Sequence, residues 1–249
     1  MLNSFLNPVA ADCDGNGIWY DFWDKEIAWI IVLVMAFITA FSFISNSFLA
    51  KKHGAVSQQK VFIGFGLFVL GLALTRIMFI FSDIERWNNC FTPKFVQIIL
   101  ISYTIGIFSA LALLIVVERD LMQMKRTLIS KFYFIMAIIA LIFAFIANSI
   151  NQEYLDRIRL FNTIINSAGG VLLVLLFLRI ILASTGSIRK NAILNFLGII
   201  LIMVGLIIDG DLIIRTLSIP IWFPAIFPFC GYLVTFINHF KSVKEQYAD

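Results

Sequence analysis

Charged residues are scarce in this sequence, and that scarcity excludes most soluble folds. Among 249 residues, 14% are charged and 61% are hydrophobic, and the mean hydropathy is +0.95. A soluble domain of this size could not bury so much apolar surface. The composition therefore predicts an all-α polytopic membrane protein. The basic pI near 9.0 does not indicate nucleic-acid binding, because most Lys and Arg residues flank apolar runs.

Side chains that serve metal binding and catalysis are also few. The chain has three cysteines and two histidines, His53 and His239, and both histidines fall near the predicted cytoplasmic surface. This placement excludes a histidine-rich zinc site within the membrane. A G-x-S-x-G elbow, a glycine-rich phosphate loop and a C-x-x-C pair are absent from the sequence. We therefore expect a protein that is not an enzyme.

Seven apolar runs are long enough to cross a bilayer, whose core requires about 20 helical residues. They cover residues 26–50, 61–81, 95–117, 129–150, 160–183, 192–214 and 219–240. The pattern predicts an extracellular tail over residues 1–25, a seven-transmembrane-helix bundle over 26–240 and a cytoplasmic tail over 241–249. The short connections predict that helices consecutive in sequence are neighbours in the bundle.

The distribution of basic residues predicts the orientation. Twelve Lys and Arg residues flank one side of the predicted spans and six flank the other. The side richer in Lys and Arg is normally cytoplasmic. We therefore expect an integral, multi-pass protein of the cell membrane, with its N-terminus outside and its C-terminus in the cytoplasm.

A weak internal repeat relates the second and sixth spans. An F-x-G pattern is followed by G-L at the same interval, in Phe62-x-Gly64 with Gly71-Leu72 and in Phe196-x-Gly198 with Gly205-Leu206. The repeat predicts a three-plus-one-plus-three arrangement, with the fourth span as a linker, and parallel repeats of this kind occur in transporters. The alternative is coincidence, since glycines are common where membrane helices pack closely.

Ionisable residues within the apolar spans are the main functional signal. Charges at membrane depth are expensive, so they are rarely retained without a role. Arg76 lies inside the second span, and Asp209 and Asp211 lie inside the sixth. Asp211 and Arg215 are four residues apart and form the predicted local ion pair. Because the second and sixth spans run in the same direction, we expect Arg76 to pair with Asp209 across the bundle.

Polar and aromatic residues near the outer surface complete a candidate ligand site. Asn162 and Asn166 share one face of the fifth span, and buried amides need partners. Tyr103 and Trp222 are the candidate wall and rim. The seventh span carries Pro220, Pro224 and Pro228, and such prolines predict a bent helix.

The N-terminal tail contains a D-x-D-x-N-G pattern at Asp12, Asp14 and Asn16. It resembles the first half of an EF-hand loop, in which alternate oxygen ligands surround calcium. The twelfth loop position is Trp23 rather than Glu. We prefer a solvated turn to a calcium site.

Cys13 and Cys90 are the candidate disulfide pair. Both fall on the predicted outer side, where a disulfide can persist. A bond between them would hold the N-terminal tail over the outer mouth of the bundle, and the free thiols are the equally weighted alternative.

The chain resembles two families of seven-helix proteins but lacks motifs that are typical of them. Length and topology resemble microbial retinal proteins, but the seventh span has no internal lysine for a Schiff base, so retinal is not expected. The triplet Glu118-Arg119-Asp120, with Cys90 before the third span, resembles class A G-protein-coupled receptors. The sixth span lacks C-W-x-P and the seventh lacks N-P-x-x-Y. We therefore interpret the triplet as a charged juxtamembrane turn.

The sequence-based hypothesis is a receptor-like or sensory protein that binds a small polar or anionic ligand in an outer-half cavity. It would contact membrane lipid and signal through a cytoplasmic or membrane protein partner. The alternatives are a transporter of small solutes or ions and a structural subunit of a membrane complex. Polar residues thin out toward the cytoplasmic half of the spans, which favours a one-sided pocket over a path through the membrane.

Overall fold

The computed structural model describes residues 19–89, 92–124, 126–146, 152–209 and 219–247. These residues form seven long helices: α1 (Trp19–Lys52), α2 (Val56–Asn89), α3 (Pro93–Val116), α4 (Leu128–Ile146), α5 (Gln152–Ala183), α6 (Gly186–Ile208) and α7 (Ile226–Tyr247). Seven helices are long and apolar enough to cross a membrane. The prediction of an all-helical bundle with seven helices of membrane-spanning length is confirmed.

Two polar side chains define the ends of α3. The Thr92 hydroxyl accepts a hydrogen bond from the Phe95 amide at 3.1 Å, which caps the start of the helix. At the other end a π-helical turn, Val117–Leu121, leads into the connection to α4. There the fully buried Glu118 accepts hydrogen bonds from the amides of Ile129 and Ser130, at 3.1 and 2.7 Å. Glu118 therefore caps α4, as a negative group at a helix N-terminus should.

Six of the helices form a closed ring in the order α1, α2, α3, α5, α6, α7, with α7 returning to α1. Helix α4 lies outside this ring and packs mainly on α3. Its inner face is made of small residues and Tyr133, whose hydroxyl donates to the Ile165 carbonyl at 3.1 Å. Phe132 and Phe145 are exposed on its other face. Helices α4 and α5 are in contact, as the short connection between them predicts, although α3 is the main neighbour of both.

The glycines of the suspected repeat make equivalent contacts. Gly64 and Gly71 of α2 face Val116 and Ser109 of α3. Gly198 and Gly205 of α6 face Thr235 and Pro228 of α7. In each case two glycines seven residues apart meet two residues seven residues apart on the next, antiparallel helix. The absence of a side chain allows both helix pairs to approach closely.

The contacts around the ring also correspond when α1, α2 and α3 are matched with α5, α6 and α7. The α1–α2 contact then matches α5–α6, and the α2–α3 contact matches α6–α7. The α3–α5 contact matches that of α7 with α1. Helix α4 is then the additional element between two units of three helices. This order of contacts is compatible with the three-plus-one-plus-three arrangement.

The sixth and seventh helices differ from the predicted spans. Helix α6 ends at Ile208, six residues before the predicted end, and Asp209 is its C-cap. Helix α7 starts at Ile226 after a 3-10 turn, Phe223–Ala225. The prolines therefore lie before the helix or in its first turn, where a missing N–H leaves no helical bond unmade. The predicted proline bend within the seventh helix is wrong.

Candidate functional site

A buried cluster of charges joins α1, α2 and α6 near one end of the bundle. We call this end, which holds Glu26 and Arg76, the outer end, and the opposite end, which holds Lys51 and His239, the inner end, after the predicted orientation. Arg76 Nη1 lies 2.9 Å from Asp209 Oδ2, and Arg76 Nη2 lies 3.3 Å from Glu26 Oε1. The contact between Arg76 and Asp209 is the one that the sequence predicts. Both side chains are nearly inaccessible, at 6% and 13% exposure.

Glu26 is the partner of Arg76 that sequence reasoning missed. Its side chain is 2% exposed, although it stands at the boundary of the predicted first span. A residue at that boundary is normally assigned to the lipid headgroups. The spacing of Glu26 and Trp29 could have indicated that Glu26 is buried, because residues three apart share a helix face. That face of α1 points into the bundle.

Trp29 completes the cluster. The Arg76 guanidinium lies 4.1 Å from the centroid of the indole ring, within the range of a cation–π contact. Trp29 Nε1 also donates a hydrogen bond to Asp209 Oδ1 at 3.2 Å. Asp209 thus receives Arg76 on one oxygen and Trp29 on the other. The indole N–H therefore orients the carboxylate of Asp209.

The position of Asp209 at a helix end explains why it needs this partner. Asp209 caps the C-terminus of α6, where the helix dipole is negative. A carboxylate there is unfavourable unless a cation offsets both charges, and Arg76 does so. A second ion pair, Lys25 to Asp83 at 3.3 Å, connects α1 and α2 one layer farther out. Arg76 and Lys25 therefore hold the outer ends of three helices together.

The amides of α5 occupy a separate polar region between α5, α3 and α2. Asn166 Oδ1 stands so close to Gly106 of α3 that an added Cβ there would approach it to 2.7 Å. The Thr75 hydroxyl faces the same glycine from α2. One turn nearer the outer end, Asn162 is fully buried, and neither its Nδ2 nor its Oδ1 has a hydrogen-bond partner.

The remaining predicted wall and rim residues lie apart from these groups. Tyr103 packs edge-on against Phe79 at 5.5 Å, in an apolar cluster at the outer ends of α2 and α3. Trp222 is 44% exposed and contacts Phe223. The six residues assigned to one outer cavity thus occupy several places, with Arg76 and Asp209 in direct contact and Asn162 and Asn166 on one face of α5.

A second polar cluster lies in the inner half of the bundle. His239 of α7 and Asn46 of α1 are joined through Nε2 and Nδ2 at 2.9 Å. The imidazole is buried, stacks on Phe43 at 3.9 Å and meets the edge of Phe62 at 4.6 Å. The expectation that polar residues thin out toward the cytoplasmic half does not anticipate this cluster, because it places His239 near the membrane surface rather than inside the bundle.

Asn238 adds a link between α6 and α7 beside this inner cluster. Its Nδ2 donates to Asn195 Oδ1 at 3.2 Å and to the Asn191 carbonyl at 3.3 Å. The inner half of the bundle thus contains an amide-rich contact between two of the helices that close the ring.

Several predicted residues lie outside the described part of the chain. They are Asp12, Asp14 and Asn16 of the candidate calcium loop, the cysteines Cys13 and Cys90, and the pair Asp211 and Arg215. Cys230 of α7 is a free thiol. Over the described ranges, no group of three or more His, Cys, Asp or Glu side chains is arranged to hold a metal ion.

Comparisons with known proteins do not indicate a function for this chain. No protein family, curated protein or solved structure matches the chain.

Proposed function

We propose that the protein transports a small polar solute across the membrane by movement of two three-helix units, α1–α3 and α5–α7, against each other. Parallel repeats are an architecture of secondary transporters, and their substrate sites lie at the interface between repeats near the bilayer midplane. In the orientation proposed here, the N-terminus is outside and the Lys-rich ends of α1 and α7 face the cytoplasm.

The distribution of close packing and polar contacts carries this proposal. Within each unit, glycines bring α2 against α3 and α6 against α7. Between the units, Arg76 pairs with Asp209 and Asn46 pairs with His239, and the Asn166 amide lies beside Gly106. Packed helices move as rigid bodies, whereas hydrogen bonds and ion pairs can exchange for water. The arrangement supports two rigid units with a separable interface.

The Arg76 cluster acts in this proposal as the outer closure. It joins α1 and α2 of one unit to α6 of the other and seals the outer end in the conformation described. The Asn46–His239 contact is the corresponding inner closure between α1 and α7. A transport cycle would open one closure while the other remained formed.

A receptor-like protein is the second candidate function. The observation that favours it is the position of Asn162 and Asn166 in the outer half, below a sealed outer end. A ligand bound there would alter the Arg76 cluster and the position of α6 without crossing the membrane.

Cysteine labelling in sealed liposomes distinguishes the two functions. Asn166 is replaced by cysteine in a background where Cys13, Cys90 and Cys230 are serine, and a membrane-impermeant maleimide is added to either side. We expect Asn166→Cys to react from both sides, because alternating access exposes the repeat interface in turn. Matched controls are Lys94→Cys at the outer end and Lys51→Cys at the inner end, which should each react from one side only.

Reaction of Asn166→Cys from one side only would contradict transport and support the receptor-like function. Reaction from neither side would reject both functions and identify the polar residues as packing contacts of a structural subunit.

A further inference from the structure

Asn162 is the most unusual polar residue of the described bundle. It is fully buried, and both its amide donor and its carbonyl acceptor lack partners. Buried amides nearly always have hydrogen bonds, because an unpaired group loses its hydration without compensation. The other buried side-chain atoms without partners in the described ranges are Arg76 Nε and Ser184 Oγ. Among these residues, Asn162 alone has two separate polar atoms without a partner.

The surroundings of Asn162 place it at the interface between the two three-helix units. Helices α3 and α5 run in the same direction, with Asn166 beside Gly106 and Gly169 beside Ala110. This register sets Asn162 at the level of Ser102, which is also fully buried. The Ser102 hydroxyl donates to the Ile98 carbonyl at 2.8 Å, so its oxygen can still accept a hydrogen bond. From this register we infer that Asn162, Asn166 and Ser102 follow one helix contact, and we call these three residues the polar strip.

We propose that this strip is the solute site of the transporter, and that its substrate is a small neutral molecule with hydroxyl or amide groups. This inference rests on the proposed function. Asn162 needs an acceptor for its Nδ2 and a donor for its Oδ1. A simple anion would satisfy only the first requirement, and a metal cation only the second. A hydroxyl or an amide satisfies both.

The Arg76 cluster also argues against an anionic substrate. The Arg76 guanidinium is neutralised by Asp209 and Glu26, so it offers no spare positive charge to an anion. The expected ligand class, which the sequence gives as polar or anionic, narrows to neutral polar solutes.

The first test compares thermal unfolding of the full-length protein with that of Asn162→Leu, in detergent and without added solute. If the amide is unpaired, the apolar replacement removes an unmet hydrogen-bonding demand and raises the Tm by about 2–6 °C. Asn162→Val is the second variant, because valine is smaller and avoids crowding. A lower or unchanged Tm in both variants would overturn the proposal, since the amide would then have a partner within the fold.

The second test measures solute entry into proteoliposomes by light scattering, with erythritol and acetamide as neutral probes and sodium acetate as the charged probe. We expect the wild type to accelerate swelling in both neutral probes at least several-fold over empty liposomes, and Asn162→Leu to return the rate to that of empty liposomes. Acetate should give no acceleration. Wild-type rates equal to those of empty liposomes, or an unchanged rate in the variant, would overturn the proposal.

The labelling and Tm results together distinguish failure of the solute-site proposal from failure of the transport proposal. Two-sided labelling of Asn166→Cys together with a lower Tm for Asn162→Leu would retain transport and reject this site. One-sided labelling together with a higher Tm would reject transport and would also overturn the solute-site proposal in its transport form.

Discussion

Replacing Arg76 by leucine should lower the free energy of unfolding by about 3–5 kcal/mol, because removal of one partner leaves buried charges uncompensated. In this variant the carboxylates of Glu26 and Asp209 would share a nearly inaccessible site without a cation. The negative end of the α6 dipole would add to their repulsion. Thermal or denaturant unfolding in detergent measures the loss. Arg179→Leu is the matched control, since Arg179 is exposed on α5 and its loss should change stability by about 0.5 kcal/mol or less.

A neutral version of the cluster should recover most of this loss. Glu26→Gln with Asp209→Asn, added to Arg76→Leu, removes the charges that Arg76 compensates. The charge swap Arg76→Asp with Asp209→Arg, which suits a two-member pair, should recover little, because the carboxylate introduced on α2 would then face Glu26. Equal stability of Arg76→Leu and the wild type would show that the cluster is not a buried charge network.

Replacing Gly71 or Gly205 by alanine should each lower the free energy of unfolding by about 1–3 kcal/mol through overpacking. A Cβ at Gly71 would lie 2.5 Å from the Cβ of Ser109. A Cβ at Gly205 would contact the ring of Pro228 and lie 2.8 Å from the Pro224 carbonyl oxygen. The equivalent positions in the two units should therefore respond alike. Unfolding measurements on the two variants provide the comparison.

The informative result is whether alanine lowers or raises the free energy of unfolding. In an uncrowded helix, alanine is more favourable than glycine by about 0.8–1.0 kcal/mol. The matched control is Ala168→Gly on the exposed face of α5, which should lose about that amount. If Gly71→Ala or Gly205→Ala were stabilising, the helix pair concerned would not be closely packed, and the rigid three-helix units would lose their basis.

The seven spans and the central ion pair are predictable from sequence for a clear physical reason. A hydrocarbon core demands long apolar helices, and a buried arginine demands an acid on a helix that reaches the same depth. Arg76 and Asp209 satisfy that demand. Glu26 was missed because hydropathy does not locate the end of a span to the residue, so a residue at the predicted boundary can be buried in the bundle.

The prediction of a single outer cavity is wrong for a different reason. Sequence spacing defines which residues share a face of one helix, but the rotation of that helix depends on its neighbours. Asn162 and Asn166 share a face as expected, whereas Tyr103 turns toward Phe79. The prolines before α7 show a similar limit, because the same residues can bend a helix or begin one.

Spin-label distances at the two ends of the bundle test the central claim, that two rigid three-helix units move against each other. One label pair joins Phe81 of α2 to Ile207 of α6 at the outer end, and the other joins Ile63 of α2 to Ile193 of α6 at the inner end. All four side chains are exposed. The distances are measured by pulsed electron paramagnetic resonance in the native sequence and in Asp209→Asn, which weakens the outer closure. We predict that Asp209→Asn lengthens the outer distance and leaves the inner one unchanged, because the inner Asn46–His239 closure is already formed. An unchanged outer distance, or two distances that lengthen together, would contradict alternating movement of the units.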